Sequence, residues 1–367
     1  MIAVITSGHR PDDERIYHRE IHTLRKLNTP IVYFTRSHHD INLNDDGIAH
    51  YNFKGMPLST FREKMIHELN RIKPSIIHLH EFELLPIAKW AKKKTKAYII
   101  YDVHEYLRQM WDTYSSKPFP MKQLINCGLS WYEKHHLPYV DHVVFANPMV
   151  TGNPYPKHDG RITVLENYPF SHRISSRRGW PEQPVLIYHG LMSPDRGIYT
   201  LLQAVHDIKT QFPNIMLKLF GPISSTTFLN EIKTLRDSLK LGENVLLKQE
   251  MPHEKVWGEL ESSTIGVIPF LKTPLSVSNT PTKLFEYMAS GCGLVASDLA
   301  PIRYSANENM SFFQPGNSNS LSAAIINLLT NPAQLNIQRK ANILSIKGKY
   351  NWETIEHRLL SIYQKIL

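Results

Sequence analysis

The chain has 367 residues, more than one hydrophobic core usually serves, so we expect two domains. Its residues are 42% hydrophobic and 20% charged, and this balance excludes an intrinsically disordered protein. The formal net charge of +9 favours an anionic partner. Since no Lys/Arg run resembles a nucleic-acid-binding arm, we predict that nucleic acid is not that partner.

The two cysteines, Cys127 and Cys292, lie far apart, which excludes a disulfide framework or a cysteine-based zinc site and fits a reducing compartment. The first residues, Met1–Ser7, lack the basic flank of a signal peptide and predict a buried strand. No stretch reaches the roughly 18 apolar residues that a membrane-spanning helix needs. We therefore predict a cytoplasmic protein, which would attach to the inner face of a membrane only peripherally.

Short, β-branched apolar segments alternate along the chain with amphipathic helical stretches. Continuous apolar strands separated by helices predict parallel sheets that are covered on both faces. In chain order, strands are predicted at Ile2–Thr6, Ile31–Thr35, Ser75–His80, Ala97–Val103, His142–Ala146, Val185–His189, Met216–Phe220, Val245–Gln249, Ile265–Phe270 and Gly293–Ser297.

This strand pattern runs twice, with a break that is rich in proline and basic residues. We predict a first Rossmann-like domain over residues 1–168, a linker over 169–183 and a second Rossmann-like domain over 184–349. The apolar stripe of residues 350–367 predicts a helix that completes the first domain. Ligands of open parallel sheets bind beyond the carboxyl ends of the strands. The expected fold class is therefore α/β, with two parallel sheets that face an interdomain cleft.

The segment Asn279–Asp298 predicts a short helix followed by a strand. Thr280 or Thr282 is expected to cap the helix, Leu284 to lie on its apolar face, and Gly291 to end it. A helix N-terminus offers backbone N–H groups and a partial positive charge, so it is a natural seat for a diphosphate.

Two charged residues of this helix strengthen that expectation. Lys283 adds a full positive charge at the helix start. Glu286 lies about 4–5 Å further along the axis, near enough to accept hydrogen bonds from the ribose of the same nucleotide. The alternative is that Glu286 is a solvated helix residue and that Thr282 is merely a cap.

The run Pro281–Gly291 resembles the signature of glycosyltransferase family 4, the retaining glycosyltransferases with the GT-B fold. Further segments resemble this family in chain order, and the first of them is similar to a bacterial subgroup that builds surface polysaccharides: Ser7–Glu20, Tyr101–Glu105, Tyr188–Leu202, Lys218–Pro222, Ile265–Phe270 and Asn351–Thr354.

The resemblance implies a role for each matching residue. Glu286 would hold the ribose, Arg196 and Lys283 would neutralise the diphosphate, and His104 would contact the transferred sugar. His104 could instead be a packed residue at a strand end. We take His104, Arg196 and Lys283 as catalytic, and the implied donor-binding residues are Gly8, Gly190, Gly221, Met251, Ser278, Thr280, Thr282, Leu284 and Glu286.

The resemblance also implies the reaction. A hexosyl or N-acetylhexosaminyl group would pass from a nucleotide-sugar donor, UDP-sugar in preference to GDP-sugar, to a glycan or lipid-linked acceptor with retention of configuration. Neither a cofactor nor a metal is expected. Lys89–Lys96, Arg62–Lys73 and the aromatic and basic run Phe119–His136 could form a surface that faces anionic lipid, or they could be ordinary solvated helices.

The chain departs from the family pattern at two positions. Ser278 stands where the family usually has a second glutamate, and Leu191 stands where an arginine is common. These departures keep two alternatives open, a nucleotide-sugar 2-epimerase of the same fold and a non-catalytic subunit of a polysaccharide-assembly complex. A third alternative is a metal-dependent hydrolase, whose ligands would come from His78, His80, Glu81, Glu83, His104 and Glu105.

Overall fold

A computed structural model describes residues 1–367 apart from 42, 44, 46, 177, 178, 180 and 250–252, and apart from the side chains of residues 253 and 254. The chain divides into two compact units. The first comprises Met1–Asn167 together with Ile355–Leu367, and the second comprises Tyr168–Thr354. No helix in the described part of the chain is long and apolar enough to cross a bilayer.

The first unit is built on a sheet of seven strands, all of them parallel to their neighbours. In chain order they are β1 (Ile2–Thr6), β2 (Ile31–Thr35), β3 (Ile48–Asn52), β4 (Ile76–Leu79), β5 (Tyr98–Val103), β6 (His142–Phe145) and β7 (Ile162–Val164). The spatial order is β3-β2-β1-β4-β5-β6-β7. The chain therefore switches direction across the sheet between β1 and β4, the place where such sheets usually bind ligands.

Helices cover this sheet. The chain after β1 is helical through Glu14–Ile21, which has π-type hydrogen bonding, and then through His22–Leu24 and Arg25–Leu27. Asp13 caps this segment, because its side chain accepts hydrogen bonds from the N–H groups of Arg15 and Ile16. The longer helices of the unit are Leu58–Ile72, Leu85–Lys94, Leu107–Tyr114, Phe119–His136 and the part of Trp352–Gln364 from Ile355 onward.

The second unit has a six-stranded parallel sheet in the order β10-β9-β8-β11-β12-β13. Its strands are β8 (Val185–His189), β9 (Met216–Phe220), β10 (Val245–Lys248), β11 (Ile265–Ile268), β12 (Gly293–Ser297) and β13 (Ser311–Phe313). Its α-helices are Ile198–Lys209, Thr226–Ser238, His253–Glu261, Lys283–Ala289, Ala300–Ser305, Ser318–Thr330 and Pro332–Gly348. The direction switch of this sheet lies between β8 and β11.

The predicted α/β class with parallel sheets is confirmed for both units. All ten predicted strands are present, and none of their ends differs from the prediction by more than two residues. Three strands escaped prediction: β3, β7 and β13. Each lies at the edge of its sheet, and β3 alternates between buried and exposed residues, so none carries the continuous apolar run of a central strand.

Candidate active site

The second unit brings two predicted glycines into direct contact at the ends of adjacent strands. Gly190 follows β8 with a φ of +101°, and Gly221 follows β9 with a φ of +133°. A Cβ atom on Gly221 would lie 2.4 Å from the carbonyl oxygen of Gly190, so no larger residue fits there. The positive φ angles and the close backbone contact therefore explain why glycine stands at these strand ends.

Lys283 lies beside this pair, with only 9% of its surface exposed. Its Nζ atom is 4.1 Å from the ring centroid of Tyr188 and 4.9 Å from that of Phe270, and it would lie 3.2 Å from a Cβ on Gly190. Burial, together with repulsion from Arg196, lowers the pKa of Lys283 well below its ordinary value. Lysine at this position is therefore a cation that the protein alone stabilises poorly.

The guanidinium of Arg196 shares the Phe270 ring with Lys283, at 4.4 Å from the ring centroid. Its Nε atom is 3.3 Å from an oxygen of Asp195. Within the described residues, no carboxylate comes within 4.0 Å of Lys283 Nζ. Two cations thus converge on one aromatic ring, and an added anion would relieve their mutual repulsion.

Glu286 is buried on the same short helix, and one of its oxygens lies 3.0 Å from Nε2 of His189 at the end of β8. The backbone N–H of His189 donates to the hydroxyl of Tyr287 at 3.2 Å. The alternative of a solvated Glu286 is therefore wrong. Sequence reasoning missed His189 as the partner, although its place at a strand end was a usable signal.

The helix start differs from the prediction. Thr282 has helical backbone angles, φ −53° and ψ −37°, and its side chain makes no capping hydrogen bond, because capping needs an extended backbone. The hydroxyl of Thr280 donates to the carbonyl of Pro301 at 3.4 Å. The N–H groups of Leu284 and Phe285 donate to nearby carbonyl oxygens at 3.0 and 3.1 Å. The cap predicted for Thr282 is therefore wrong, and positive charge here comes from side chains more than from open helix amides.

Two further predicted donor-binding residues have other surroundings. Ser278 is buried and donates its hydroxyl to the carbonyl of Pro274 at 3.1 Å. The side chain of Leu284 is fully buried and serves the core of the unit. Met251 lies outside the described residues.

In the first unit, the loop after β1 binds a carboxylate of the same chain. The N–H groups of Ser7 and Gly8 donate to Glu81 at 2.8 and 3.2 Å, and the hydroxyl of Thr6 donates to the same carboxylate. Nδ1 of His9 lies 2.6 Å from it. Burial alone would raise the pKa of Glu81, but these hydrogen bonds hold it below its usual value. The amide of Gly8 is therefore already bonded within the unit, and its role in donor binding stays a prediction.

His104 follows β5, and 18% of its side chain is exposed. Its Nε2 atom lies 3.1 Å from Nδ1 of His80, and its ring centroid lies 4.5 Å from that of His9. Burial lowers the pKa of His104 to about 4, against the attraction of Asp102. His104 is therefore a neutral imidazole near pH 7, with one edge held by the protein and part of its surface open.

Beneath His104 lies a buried polar cluster that sequence reasoning did not select as a whole. Arg15 donates to both oxygens of Asp102 at 3.0 and 2.9 Å, and Glu20 lies beside them. The rings of His78 and His80 stack with their centroids 4.4 Å apart.

Of the six residues proposed as metal ligands from the sequence, only His78 and His80 belong to a group of ligand atoms, and Glu20 and Asp102 complete it. His104 contacts this group through the ring of His80. Glu81 binds the β1 loop, and Glu83 accepts from the hydroxyl of Ser7 at 3.1 Å. Glu105 is exposed.

Among the comparisons with known proteins, the family match falls within the second unit. Residues 172–344 match the family model of glycosyl transferases group 1. None of the curated proteins matches the chain.

Solved structures match over nearly the whole chain. Sucrose-phosphate synthase from Thermosynechococcus elongatus superposes with a TM-score of 0.78 at 17% identity, over 99% of this chain and 98% of the other. HepE from Anabaena, in complex with UDP, gives 0.75 at 13% identity over 99% of both chains. A trehalose-6-phosphate protein from E. coli, bound with UDP-2-fluoro glucose, gives 0.72 at 14% identity over 100% and 99%. These superpositions over nearly the whole chain support the two-domain α/β fold, which is the predicted GT-B class.

Proposed function

We propose that this protein is a retaining glycosyltransferase of family 4 type that transfers a hexosyl or N-acetylhexosaminyl group from a UDP-sugar to a glycan or lipid-linked acceptor. Its pathway is proposed to be bacterial surface polysaccharide synthesis. The observation that carries the proposal is the convergence of Lys283 and Arg196 on the ring of Phe270, beside the glycine pair. The group 1 match of the same unit and the UDP in similar structures support it.

The chemistry follows from where charge develops. The leaving group is a nucleoside diphosphate, so negative charge grows on phosphate oxygens in the transition state. Lys283 and Arg196 are fixed by packing on aromatic rings and would stabilise that charge without proton transfer. Bound diphosphate would in turn restore the ordinary pKa of Lys283, so the cost of burying this lysine is offset only in the complex.

The remaining roles are assigned to the donor's other parts. Glu286, held by His189, would accept hydrogen bonds from the ribose hydroxyls. His104, a neutral imidazole, would bond a hydroxyl of the transferred sugar. In the proposed retaining path, the departing phosphate helps to deprotonate the acceptor while an oxocarbenium-like pair forms. No residue of the described chain is assigned as a covalent nucleophile.

A panel of nucleotides and nucleotide sugars tests the donor assignment. A ligand at 100 times its dissociation constant stabilises the folded protein by about 2.7 kcal/mol, so the donor should raise the melting temperature clearly. UDP and one UDP-sugar are expected to do so more than the GDP compounds. If no nucleoside diphosphate raises it, the proposed donor site does not exist.

Product analysis then separates the alternatives. A glycosyltransferase releases UDP and labels an acceptor glycan or lipid extract, whereas a 2-epimerase alters or releases the sugar with no acceptor product. A non-catalytic subunit with a lapsed site would bind no donor in calorimetry. Retention follows from the anomeric configuration of the product, and an inverted product would contradict that part of the proposal.

A lipid-linked acceptor is favoured by an exposed apolar face on the helix Phe119–His136. Phe119, Leu124 and Trp131 expose 71, 73 and 66% of their surface, although most large apolar residues are buried. Met121 is also exposed, so residues 121, 124 and 131 form a stripe at helical spacing.

Basic groups border this stripe. Lys117 and Lys134 are exposed, and Nζ of Lys89 lies 2.9 Å from Nε2 of His135. Apolar side chains flanked by lysines suit the interface of an anionic bilayer, where rings and alkyl chains enter the headgroup region. We therefore place this face on the inner surface of a membrane.

Flotation with vesicles that contain phosphatidylglycerol tests this placement. We expect wild-type protein to float at low salt and to be released at high salt, and the double variant Leu124→Ser, Trp131→Ser to remain in solution. Leu344 is 67% exposed on a helix of the second unit, so Leu344→Ser is the matched control and should still float. Wild-type protein that never floats would end the membrane proposal.

A further inference from the structure

Four side chains of the first unit bring metal-ligand atoms together in one buried cluster. They are Glu20, His78, His80 and Asp102, and each offers a ligand atom within 4.8 Å of the other three. All four are at most 2% exposed. Oε2 of Glu20 lies 4.0 Å from Nε2 of His78 and 3.8 Å from Nε2 of His80, which is too long for hydrogen bonds.

Three of these ligand atoms lack a hydrogen-bond partner among the described residues. They are Oε2 of Glu20 and the Nε2 atoms of His78 and His80. Leaving such a buried group unsatisfied is destabilising, and more so when the group is charged. Because the ligand atoms of the cluster lie within 4.8 Å of one another, one bound ion would satisfy all three of these atoms at once.

The opposite edges of the two imidazoles are bonded in the manner of metal-binding histidines. Nδ1 of His78 lies 2.7 Å from the hydroxyl of Tyr363, and Nδ1 of His80 lies 3.1 Å from Nε2 of His104. Each ring is thereby oriented so that Nε2 faces the cluster. Metal-ligating histidines almost always hydrogen-bond their second nitrogen, usually to a carboxylate, a carbonyl or water, which fixes the ring and its tautomer. Here a tyrosine hydroxyl and a histidine nitrogen take that place.

We propose that this cluster is a zinc site in which Glu20, His78 and His80 are ligands and a carboxylate oxygen of Asp102 is the fourth ligand atom. Oδ2 of Asp102 lies 3.7 Å from Nε2 of His78. Tetrahedral zinc with bonds of about 2.0–2.1 Å separates its ligand atoms by about 3.3–3.4 Å. The ligand atoms here lie within 4.8 Å of one another, and Glu20 and His78 are 4.0 Å apart, so the side chains must move together by more than about half an ångström when zinc binds.

The charges of the cluster agree with a divalent ion. Arg15 donates to both oxygens of Asp102 and balances its charge, and Nε of Arg15 is 3.0 Å from Oε1 of Glu20 without the alignment of a hydrogen bond. With both histidines neutral, the carboxylates exceed the arginine by one charge. Zinc would leave a net charge of +1, as in sites formed by two histidines and one glutamate.

Zinc at this point would fix the tautomer of His104. With zinc on Nε2, His80 carries its proton on Nδ1 and donates to Nε2 of His104. His104 then has its own proton on Nδ1. The ion itself would be structural and would reach His104 only through His80.

Zinc content tests the site without donor or acceptor, so its outcome is independent of the proposed glycosyltransferase function. The full chain, treated with a chelator and titrated with zinc chloride in a calorimeter, should bind one ion and gain melting temperature. Glu20→Gln and His80→Asn should lose this binding. His142→Asn, which alters a histidine on neighbouring β6 that bonds Thr163 at 2.8 Å, is the control and should keep it.

Cobalt(II) provides a second measurement that needs no variant, because wild-type protein with tetrahedral cobalt should show intense visible absorption. Wild-type protein that takes up neither ion would overturn the proposal, as would a Glu20→Gln variant that binds zinc as tightly as wild type.

Discussion

The carboxyl ends of the two sheets differ in how their charged groups are balanced. In the first unit, the amides of the loop after β1 bind the carboxylate of Glu81, and Arg15 binds Asp102, so the chain supplies its own counter-charges. In the second unit, Lys283 and Arg196 meet on the ring of Phe270. The same type of sheet therefore yields one carboxyl end where the β1 loop and Asp102 find their partners within the chain, and one carboxyl end whose cations are stabilised best by an added anion.

The largest effect is expected from Gly221→Ala in the second unit. The new Cβ would lie 2.4 Å from the carbonyl oxygen of Gly190, at a φ of +133° that alanine rarely adopts. Overpacking against backbone, together with this strain, should lower the free energy of unfolding by about 3 kcal/mol or more. Denaturant unfolding measures it, and a loss below about 1 kcal/mol would show that the glycine pair is not rigid.

The second largest effect is expected from Lys283→Met. This substitution removes the positive charge but keeps the packing on Tyr188 and Phe270. We expect at least a tenfold loss of turnover, about 1.4 kcal/mol, together with weaker binding of UDP. Steady-state kinetics and calorimetry measure the two effects. Lys233→Met changes an exposed lysine of the helix Thr226–Ser238 and should leave both unchanged. Full activity in Lys283→Met would show that the positive charge of Lys283 does not contribute to catalysis.

His104→Asn tests the first unit's contribution to the same reaction. We expect turnover to fall about tenfold while UDP affinity stays within about twofold, because His104 is assigned to the sugar and not to the diphosphate. Equal losses in both quantities would indicate that His104 is a packed strand-end residue.

The pH dependence of UDP binding is a more moderate effect with a definite sign. The pKa of free Lys283 is lowered by burial and by Arg196, and a bound diphosphate would raise it again. Between these two pKa values binding takes up a proton, so affinity should fall as pH rises through that window. Calorimetry in buffers of different ionisation enthalpy detects the uptake on the alkaline side. Lys283→Met should abolish it, and an uptake that persists in this variant would have another source.

The smallest effect is expected from Gly8→Ala. A Cβ there would lie 3.6 Å from Oε1 of Glu81, an ordinary contact, and the backbone has no positive φ. The free energy of unfolding should change by less than about 0.5 kcal/mol. If Gly8→Ala lowered the free energy of unfolding as much as Gly221→Ala, the loop after β1 would require glycine as strictly as the end of β9 does.

The central strands were predictable because both of their faces are buried, which forces continuous apolar runs such as Ile2–Thr6 and Val185–His189. The short edge strands were not, since half-exposed residues leave no such run. The two glycines of the second unit were found at strand ends, and Lys283 and Arg196 were found because their segments resemble a family motif. The ring of Phe270, which Lys283 and Arg196 share, could be identified as their common contact only from the structure.

Side-chain partners were the weakest part of the prediction. Glu286 pairs with His189, which lies 97 positions earlier, and Arg15 pairs with Asp102, 87 positions later. No local pattern reports such distances. The capping prediction for Thr282 failed because the residue before a helix caps only in an extended conformation, and Pro281 precedes a backbone that is already helical.

The return of Ile355–Leu367 to the first unit has a consequence for synthesis on the ribosome. The hydroxyl of Tyr363 bonds His78, and Lys26 pairs with Glu356 at 2.6 Å, so the first unit needs these late residues to be complete. About 190 residues of the second unit are translated in between, which takes roughly 10–40 s at usual elongation rates. The nascent first unit must therefore wait in an unfinished state, and the segment synthesised first is among the last to mature.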